Sequence, residues 1–273
     1  MKTYYRTIVL SDIHLGTNSS KAKEVTKFLK YHKCETLILN GDIIDGWQLK
    51  KSGKWQKRHT NFFKHIINLT SKNKCEVIYL RGNHDDFLEE MIPFTFGRFQ
   101  IKKYHIHYGL EKKYFVTHGD IFDNVTSKFK WIAKLGDIGY TFLLWFNHHY
   151  NNYREKKGLP YYSVSQAVKA KVKSAVSFIS DYENELVKVA RARKCDGIIC
   201  GHIHQPVVKD IHGIEYLNSG DWVENLSALV EDENGKWHIV YYHHWLMIHE
   251  AAKKAKANKD IDNILPPGVT LQG

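Results

Sequence analysis

The chain has 273 residues, 43% of them hydrophobic, enough for one large α/β domain with an insertion or for two small domains. A formal net charge of +11 points to an anionic partner, whether nucleic acid, a phosphorylated substrate or an acidic membrane surface. No window approaches 18 consecutive apolar residues, and Met1-Lys2-Thr3 runs into a strand pattern without a signal-peptide hydrophobic region, so a soluble protein made in the cytoplasm is expected.

In chain order, Tyr5 to Leu10 reads as a strand ending at Ser11-Asp12-Ile13-His14. Ser20 is placed to cap a helix through Tyr31, with Val25, Phe28 and Leu29 on one face. Thr36 to Leu39 is the second strand, ending at Asn40-Gly41-Asp42-Ile43-Ile44-Asp45. His59 to Leu69 is the second helix and Glu76 to Leu80 the third strand, ending at Arg81-Gly82-Asn83-His84-Asp85. This β-α-β-α-β order predicts a parallel sheet covered by helices. Short strands follow at Tyr104 to Tyr108 and at Lys113 to Thr117, the latter leading into His118-Gly119-Asp120.

Residues 122–192 differ in texture, with aromatic and lysine-rich helical patterns interrupted at Gly158-Leu159-Pro160. Strands resume at Asp196 to Cys200, ending in Gly201-His202-Ile203-His204, and continue at Pro206 to Ile211, Ile214 to Leu217, Leu226 to Val230 and Trp237 to Tyr241. Asn234-Gly235 marks a hairpin turn. The predicted division is a core of 1–121 with 193–248, a helical cap insertion of 122–192 and a basic tail of 249–273, its helix fraying into disorder. Cys34, Cys75, Cys195 and Cys200 show no Cys-x-x-Cys spacing and read as reduced core thiols.

Each strand-end motif alone is weak, since Asp-x-His can be turn chemistry and Gly-Asp is a common loop pair. Together, Asp12-x-His14, Gly41-Asp42, Gly82-Asn83-His84-Asp85, His118 and Gly201-His202-x-His204 recur in order, each just beyond a strand. Open α/β sheets place ligands at such carboxyl ends. The glycines let the backbone turn sharply and pass close to an ion. Imidazoles, carboxylates and one amide make a nitrogen and oxygen donor set suited to Mn, Fe or Zn. Seven ligands are enough for two metals about 3.5–4 Å apart, able to support in-line displacement at phosphorus.

From Thr7 to about Tyr242 this ordered set resembles the calcineurin-like metallophosphoesterase superfamily, which implies an α/β fold, a β-sandwich flanked by helices, here with a helical cap. The resemblance implies that Asp12, His14, Asp42 and His204 hold one divalent metal, and that Asp42, Asn83, His118 and His202 hold the other, manganese foremost. It gives the nucleophile as a hydroxide between the metals. His84 faces the leaving-group oxygen, oriented by Asp85, while Asp45 reads equally as a partner behind the ligands or as a turn residue. A non-catalytic scaffold, such as the retromer subunit of this superfamily, would be expected to lack ligands, and none is missing here.

The superfamily fixes the reaction and leaves the substrate open. Trp131, Ile132, Leu135 and the run from Tyr140 to Phe146 form an apolar block followed by Arg154, Lys156, Lys157, Lys169, Lys171 and Lys173. They read either as a groove for acyl chains with a cationic rim, or as plain packing with a solvated face. The insertion, Ser163 to Glu185 and Gly220-Asp221-Trp222-Val223-Glu224 resemble the UDP-2,3-diacylglucosamine pyrophosphatases of lipid A synthesis. That implies a UDP-linked acylated sugar as substrate and work at the cytoplasmic face of the inner membrane, with Arg154, Ser163, Ser165 and Lys169 as candidate contacts. One departure is His84, where the well-studied branch of that group has Arg. It leaves a soluble phosphodiesterase or nuclease as the second reading, though no known nucleic-acid module supports it.

Overall fold

The computed structural model describes residues 2–122, 154, 157 and 179–264, in two compact units, Met1–His118 with Cys195–Gly273, and Gly119–Lys194. In the larger unit, the first strands and helices are β1 (Thr3–Leu10), α1 (Ala22–Tyr31), β2 (His32–Asn40), α2 (Gly46–Lys51), α3 (Lys57–Lys72) and β3 (Glu76–Leu80). After a 3₁₀ turn at Asp86–Met91 come β4 (Phe94–Phe96), β5 (Phe99–Lys102), β6 (His105–Tyr108) and β7 (Lys113–Val116). Beyond the second unit lie β8 (Gly197–Cys200), β9 (Val207–Ile211), β10 (Ile214–Asn218), β11 (Ser227–Glu231) and β12 (Trp237–Tyr241).

The strands form two sheets, a seven-stranded one in the order β12-β11-β1-β2-β3-β5-β4 and a five-stranded one in the order β6-β7-β8-β10-β9. Period-two alternation sorts the buried side chains between two cores. Ile8, Leu10, Leu37, Leu39, Val77 and Tyr79 join Val25, Phe28 and Leu29 of α1 and Phe62, Ile66 and Leu69 of α3. The residues between them, Val9, Ile38 and Ile78, meet Val116, Ile199 and Leu217 of the second sheet. Each strand buried on both faces therefore reads as a continuous apolar run, as β1 to β3 do.

Register brings the strand ends together. β1 and β2 run parallel with Leu10 beside Leu39, β2 and β3 with Asn40 beside Leu80, and β7 and β8 with Val116 beside Ile199. Asp12, Asp42, Asn83, His118 and His202 each follow one of these ends by two or three residues.

Several boundaries differ from expectation for local reasons. Ser20 does not cap α1, because the Thr17 hydroxyl accepts the Ser20 N–H at 3.1 Å and the helix starts at Ala22 after Lys21. α3 starts earlier than His59, which instead closes a capping box with Gln56. α2, β4 and β5 were not foreseen. The last helix, α4 (Tyr242–Ile264), begins directly after β12 rather than at His249. Tyr242 and Trp245 anchor it in an aromatic group with Trp222, Phe28 and His32. The expected turn at Asn234-Gly235 joins β11 to β12, with Gly235 at φ +77°. The cysteines are free thiols, with the sulfurs of Cys34 and Cys75 3.7 Å apart. In the second unit, the described helix 179–192 buries Tyr182, Leu186, Val187 and Ala190 along one face. The other helical patterns expected in 122–192 lie outside the described residues. Among the described residues no helix is long and apolar enough to cross a membrane.

A buried polar group spans β1, β6 and β11. Glu231 accepts from Thr7 Oγ1 at 2.8 Å and pairs with His107 Nε2 at 2.9 Å. Burial pushes the Glu231 carboxyl up, but the His107 and Thr7 hydrogen bonds carry it below its usual value. A folded-state value below the unfolded one adds stability that is present above the unfolded value, near 4.3, and is lost as pH falls through the folded value. Glu231→Gln is therefore expected to melt below wild type at pH 7, with the gap closing as pH falls below about 4. A gap that stays constant from pH 7 to 3 would remove this account.

Candidate active site

Asp12, His14, Asp42, His202 and His204 all adopt left-handed backbone conformations, with φ between 50° and 69°. Only four other non-glycine residues among those described do so. The turns carry the chain away from each strand and return the side chains over the strand ends. Glycines leave the space they need. A Cβ on Gly41 would collide with the His118 ring, one on Gly82 with Asp42, and one on Gly201 with Ser11 and Asp12.

The main chain locks these turns to one another. The Asp12 N–H donates to the Gly41 carbonyl at 3.1 Å, and that of His14 to the Asp42 carbonyl at 3.0 Å. The side chain of Asp12 accepts the His202 N–H at 3.1 Å, and that of Asp42 accepts the His84 N–H at 2.8 Å.

Around Asp42 Oδ2 lie Nε2 of His118 at 3.4 Å, of His14 at 3.9 Å and of His84 at 4.0 Å. Around Asp12 Oδ1 lie Nε2 of His204 at 3.2 Å and of His14 at 4.0 Å. Two groups with the spacing of a metal site follow, Asp12 with His14 and His204, and Asp42 with His118 and His202. A third, His14 with Asp45 and His84, adjoins them.

The donor atoms suit divalent cations. His118 Nδ1 donates to the Asn40 carbonyl at 2.8 Å, which leaves Nε2 to carry the lone pair facing Asp42, the tautomer a metal requires. Asn83 is buried, and among the described residues neither atom of its amide has a hydrogen-bond partner. An amide held in that way is what a ligand position leaves behind when protein groups alone are counted.

Burial pushes Asp12 up, but His204 and His118 bring it down to about 2, and Asp42 is held still lower chiefly by His118 against the same burial. Burial pushes His204 down, but Asp12 lifts it to about 9. Asp12 and Asp42 thus stay anionic beside the imidazoles that face them, and a cation would compete with the proton on His204 for its lone pair.

Asp85 does not orient His84. Its carboxylate accepts from the Ile43 N–H at 2.9 Å, the Gly82 N–H at 2.5 Å and the Tyr79 hydroxyl at 2.8 Å, tying the end of β3 to the loop after β2. Burial, then Asp42, lifts its carboxyl to about 6. The partner of His84 is Asp45, whose Oδ2 lies 3.2 Å from His84 Nδ1 and 3.3 Å from His14 Nδ1. Its Oδ1 caps α2 by accepting the Gln48 N–H at 2.8 Å. Asp45 fills both of the roles the sequence left open, and these bonds hold its carboxyl low against burial.

Sequence reasoning missed Trp47, whose ring lies against that of His84 with centroids 4.3 Å apart, and took Gly220 to Glu224 only as a resemblance, without its role behind the site. An exposed Trp two residues after a candidate Asp was the available signal for the first. Of the expected substrate contacts, Arg154 lies in the second unit. Ser163, Ser165 and Lys169 lie outside the described residues.

Residues 5–206 match the family described as Calcineurin-like phosphoesterase. Similar solved structures include an archaeal phosphodiesterase, at 14% identity over 86% of this chain and 98% of that one, with a TM-score of 0.42. YfcE, a phosphoesterase from E. coli, shares 15% over 86% and 98%, with a TM-score of 0.38. A Vps29 variant from Entamoeba histolytica shares 11% over the same fractions, with a TM-score of 0.39. No curated protein matches the chain. A family match that spans most of the chain, over a site of this donor chemistry, makes it a member of the calcineurin-like phosphoesterases, which are metal-dependent phosphoester hydrolases.

Proposed function

We propose that the chain is a dinuclear-metal hydrolase that splits the pyrophosphate of UDP-2,3-diacylglucosamine into UMP and 2,3-diacylglucosamine 1-phosphate. One observation carries the metal pair: imidazoles from three separate segments approach a single oxygen of Asp42 within 3.4 to 4.0 Å. In this reading Asp12, His14, Asp42 and His204 hold one cation, Asp42, Asn83, His118 and His202 hold the other, and Asp42 serves both. Manganese is the first choice, and the nitrogen and oxygen donor set also suits iron or zinc.

When bound, the cations polarise the phosphoryl oxygens and supply an activated water for in-line attack. The chain's own part is to fix the geometry and handle the proton. His84, whose Nδ1 lies 3.2 Å from Asp45 Oδ2, is in this reading the proton donor to the departing oxygen. Asp45 also steadies His14, so one carboxylate aligns a metal ligand and the proton donor.

The substrate reading is supported by the resemblance of the insertion, of residues 163–185 and of 220–224 to the pyrophosphatases of lipid A synthesis. Arg154, Ser163, Ser165 and Lys169 take the substrate's phosphates and sugar. Its acyl chains place the enzyme at the cytoplasmic face of the inner membrane, where a charge of +11 suits acidic lipid. His84, in the position of an Arg, favours a second reading, a soluble phosphodiesterase or nuclease.

Manganese-loaded protein is expected to release UMP from the lipid nucleotide, and Asp42→Asn or His118→Ala to abolish turnover. Cleavage of generic phosphodiesters with the lipid nucleotide left intact would transfer the assignment to the second reading. Steep weakening by salt of nucleic-acid binding, with indifference to micelles, would do the same.

His84→Ala is expected to lower kcat by about 10²- to 10⁴-fold with metal content unchanged. Asp45→Asn should lower both kcat and metal affinity, because its carboxylate faces His84 and His14 together. An Asp45 variant altered in metal uptake alone would separate it from proton transfer.

Metal uptake should release protons and strengthen as pH rises, since the proton on His204 leaves near pH 9 in the metal-free protein. Calorimetric titrations with manganese in buffers of different ionisation enthalpy measure this release. An affinity flat from pH 6 to 9 would contradict it.

A further inference from the structure

The segment Asn218 to Asn225 carries none of the proposed ligands, yet it is buried from Asn218 to Trp222 and its hydrogen bonds run to the backbone of the site. The Asn218 side chain donates to the Gly201 carbonyl at 2.9 Å, and the Trp222 N–H donates to the Asp12 carbonyl at 3.0 Å. Asp221, fully buried, accepts the Val223 N–H at 2.8 Å and the Glu224 N–H at 2.5 Å, which folds the segment into a tight turn. Its other oxygen receives Asn225 Nδ2 at 2.6 Å. The same amide nitrogen donates to the His204 carbonyl at 2.9 Å.

His204 needs this support more than the other residues of the site. It lies between β8 and β9, outside any strand pairing, at φ 55° and with a side chain about one-third exposed. Among the described residues, the bond from Asn225 is the one hydrogen bond made to its main chain. A left-handed residue of this kind persists only where its surroundings over-determine it. Nδ2 has two protons, and both are engaged, one holding His204 and the other held by Asp221.

We propose that Asn225, braced by Asp221, is a positioning residue for one of the two metals: it fixes the backbone turn that aims His204 at Asp12. The inference rests on the metal-centre reading above and is independent of the substrate. Asn225 bonds the His204 carbonyl and Asp221, and Trp222 bonds the Asp12 carbonyl, so the brace acts on the side of Asp12 and His204.

The test is manganese titration of the full chain, followed by calorimetry and elemental analysis. Wild type is expected to take two equivalents. Asn225→Ala and the isosteric Asn225→Asp, which lacks the donor, should each weaken one equivalent by at least about tenfold and leave the other unchanged. Asn225→Ala added to His204→Ala should produce no further loss, because the brace acts only through His204. Equal weakening of both equivalents, or unchanged uptake in the Asp variant, would overturn the proposal. Full additivity with His204→Ala would overturn it as well. Uptake of fewer than two equivalents by wild type would remove the metal-centre reading and the brace with it, a result distinct from failure to cleave the lipid nucleotide.

Discussion

The site depends on backbone held where side-chain-bearing residues rarely go. Five left-handed residues, at about 1–3 kcal/mol each, would be a large burden if each were held separately. They are not. Asp12 and His14 donate main-chain N–H groups to the turn that holds Asp42, and Asp12 in turn accepts from His202. Each turn is a fastening point for the next, so the conformations are maintained together. The two-sheet core supplies the base on which this interlocking stands, because parallel pairing sets the strand ends side by side.

Charge follows from the same geometry. Asp12, Asp42 and Asp45 all lie buried, where desolvation alone pushes a carboxyl toward its neutral form. They stay anionic because imidazoles from other segments face them. At Asp12 the facing His204 carries the compensating proton, and a bound cation would take that lone pair instead.

What could be read from the sequence was the part governed by short-range pattern. Apolar runs gave β1 to β3 and their helices, and the residue types beyond the strands marked Asp12, Asp42, Asn83, His118 and His202 as a convergent set. The parts that escaped depend on contacts distant in sequence. Asp45 and Asp85 each follow a ligand motif and look interchangeable on paper. Only the fold decides that Asp85 turns inward to Tyr79 and Ile43 while Asp45 faces His84. Asn225 lies 21 residues beyond His204 and carries no motif of its own, so nothing local reveals that it holds that carbonyl. α2 is short and lysine-rich, and its only marker was the capping Asp45.

Asp45 shows how far such sharing extends. One of its oxygens caps α2 and the other faces His14 and His84 together. α2 in turn carries Trp47, whose ring lies against His84. His84 is thus held on two sides by one short element, through the carboxylate that begins it and the aromatic that follows. The helix is anchored to the first strand end, because Leu49 packs against Gly16, where a Cβ would collide. A shift of α2 would therefore reach the proposed proton donor and a proposed metal ligand at once. Substitutions along α2 should not act additively with those at His14 or His84, since they share a carboxylate and a packing contact. The element the sequence marked least clearly is the one that ties the proposed proton donor His84 to the proposed ligand His14.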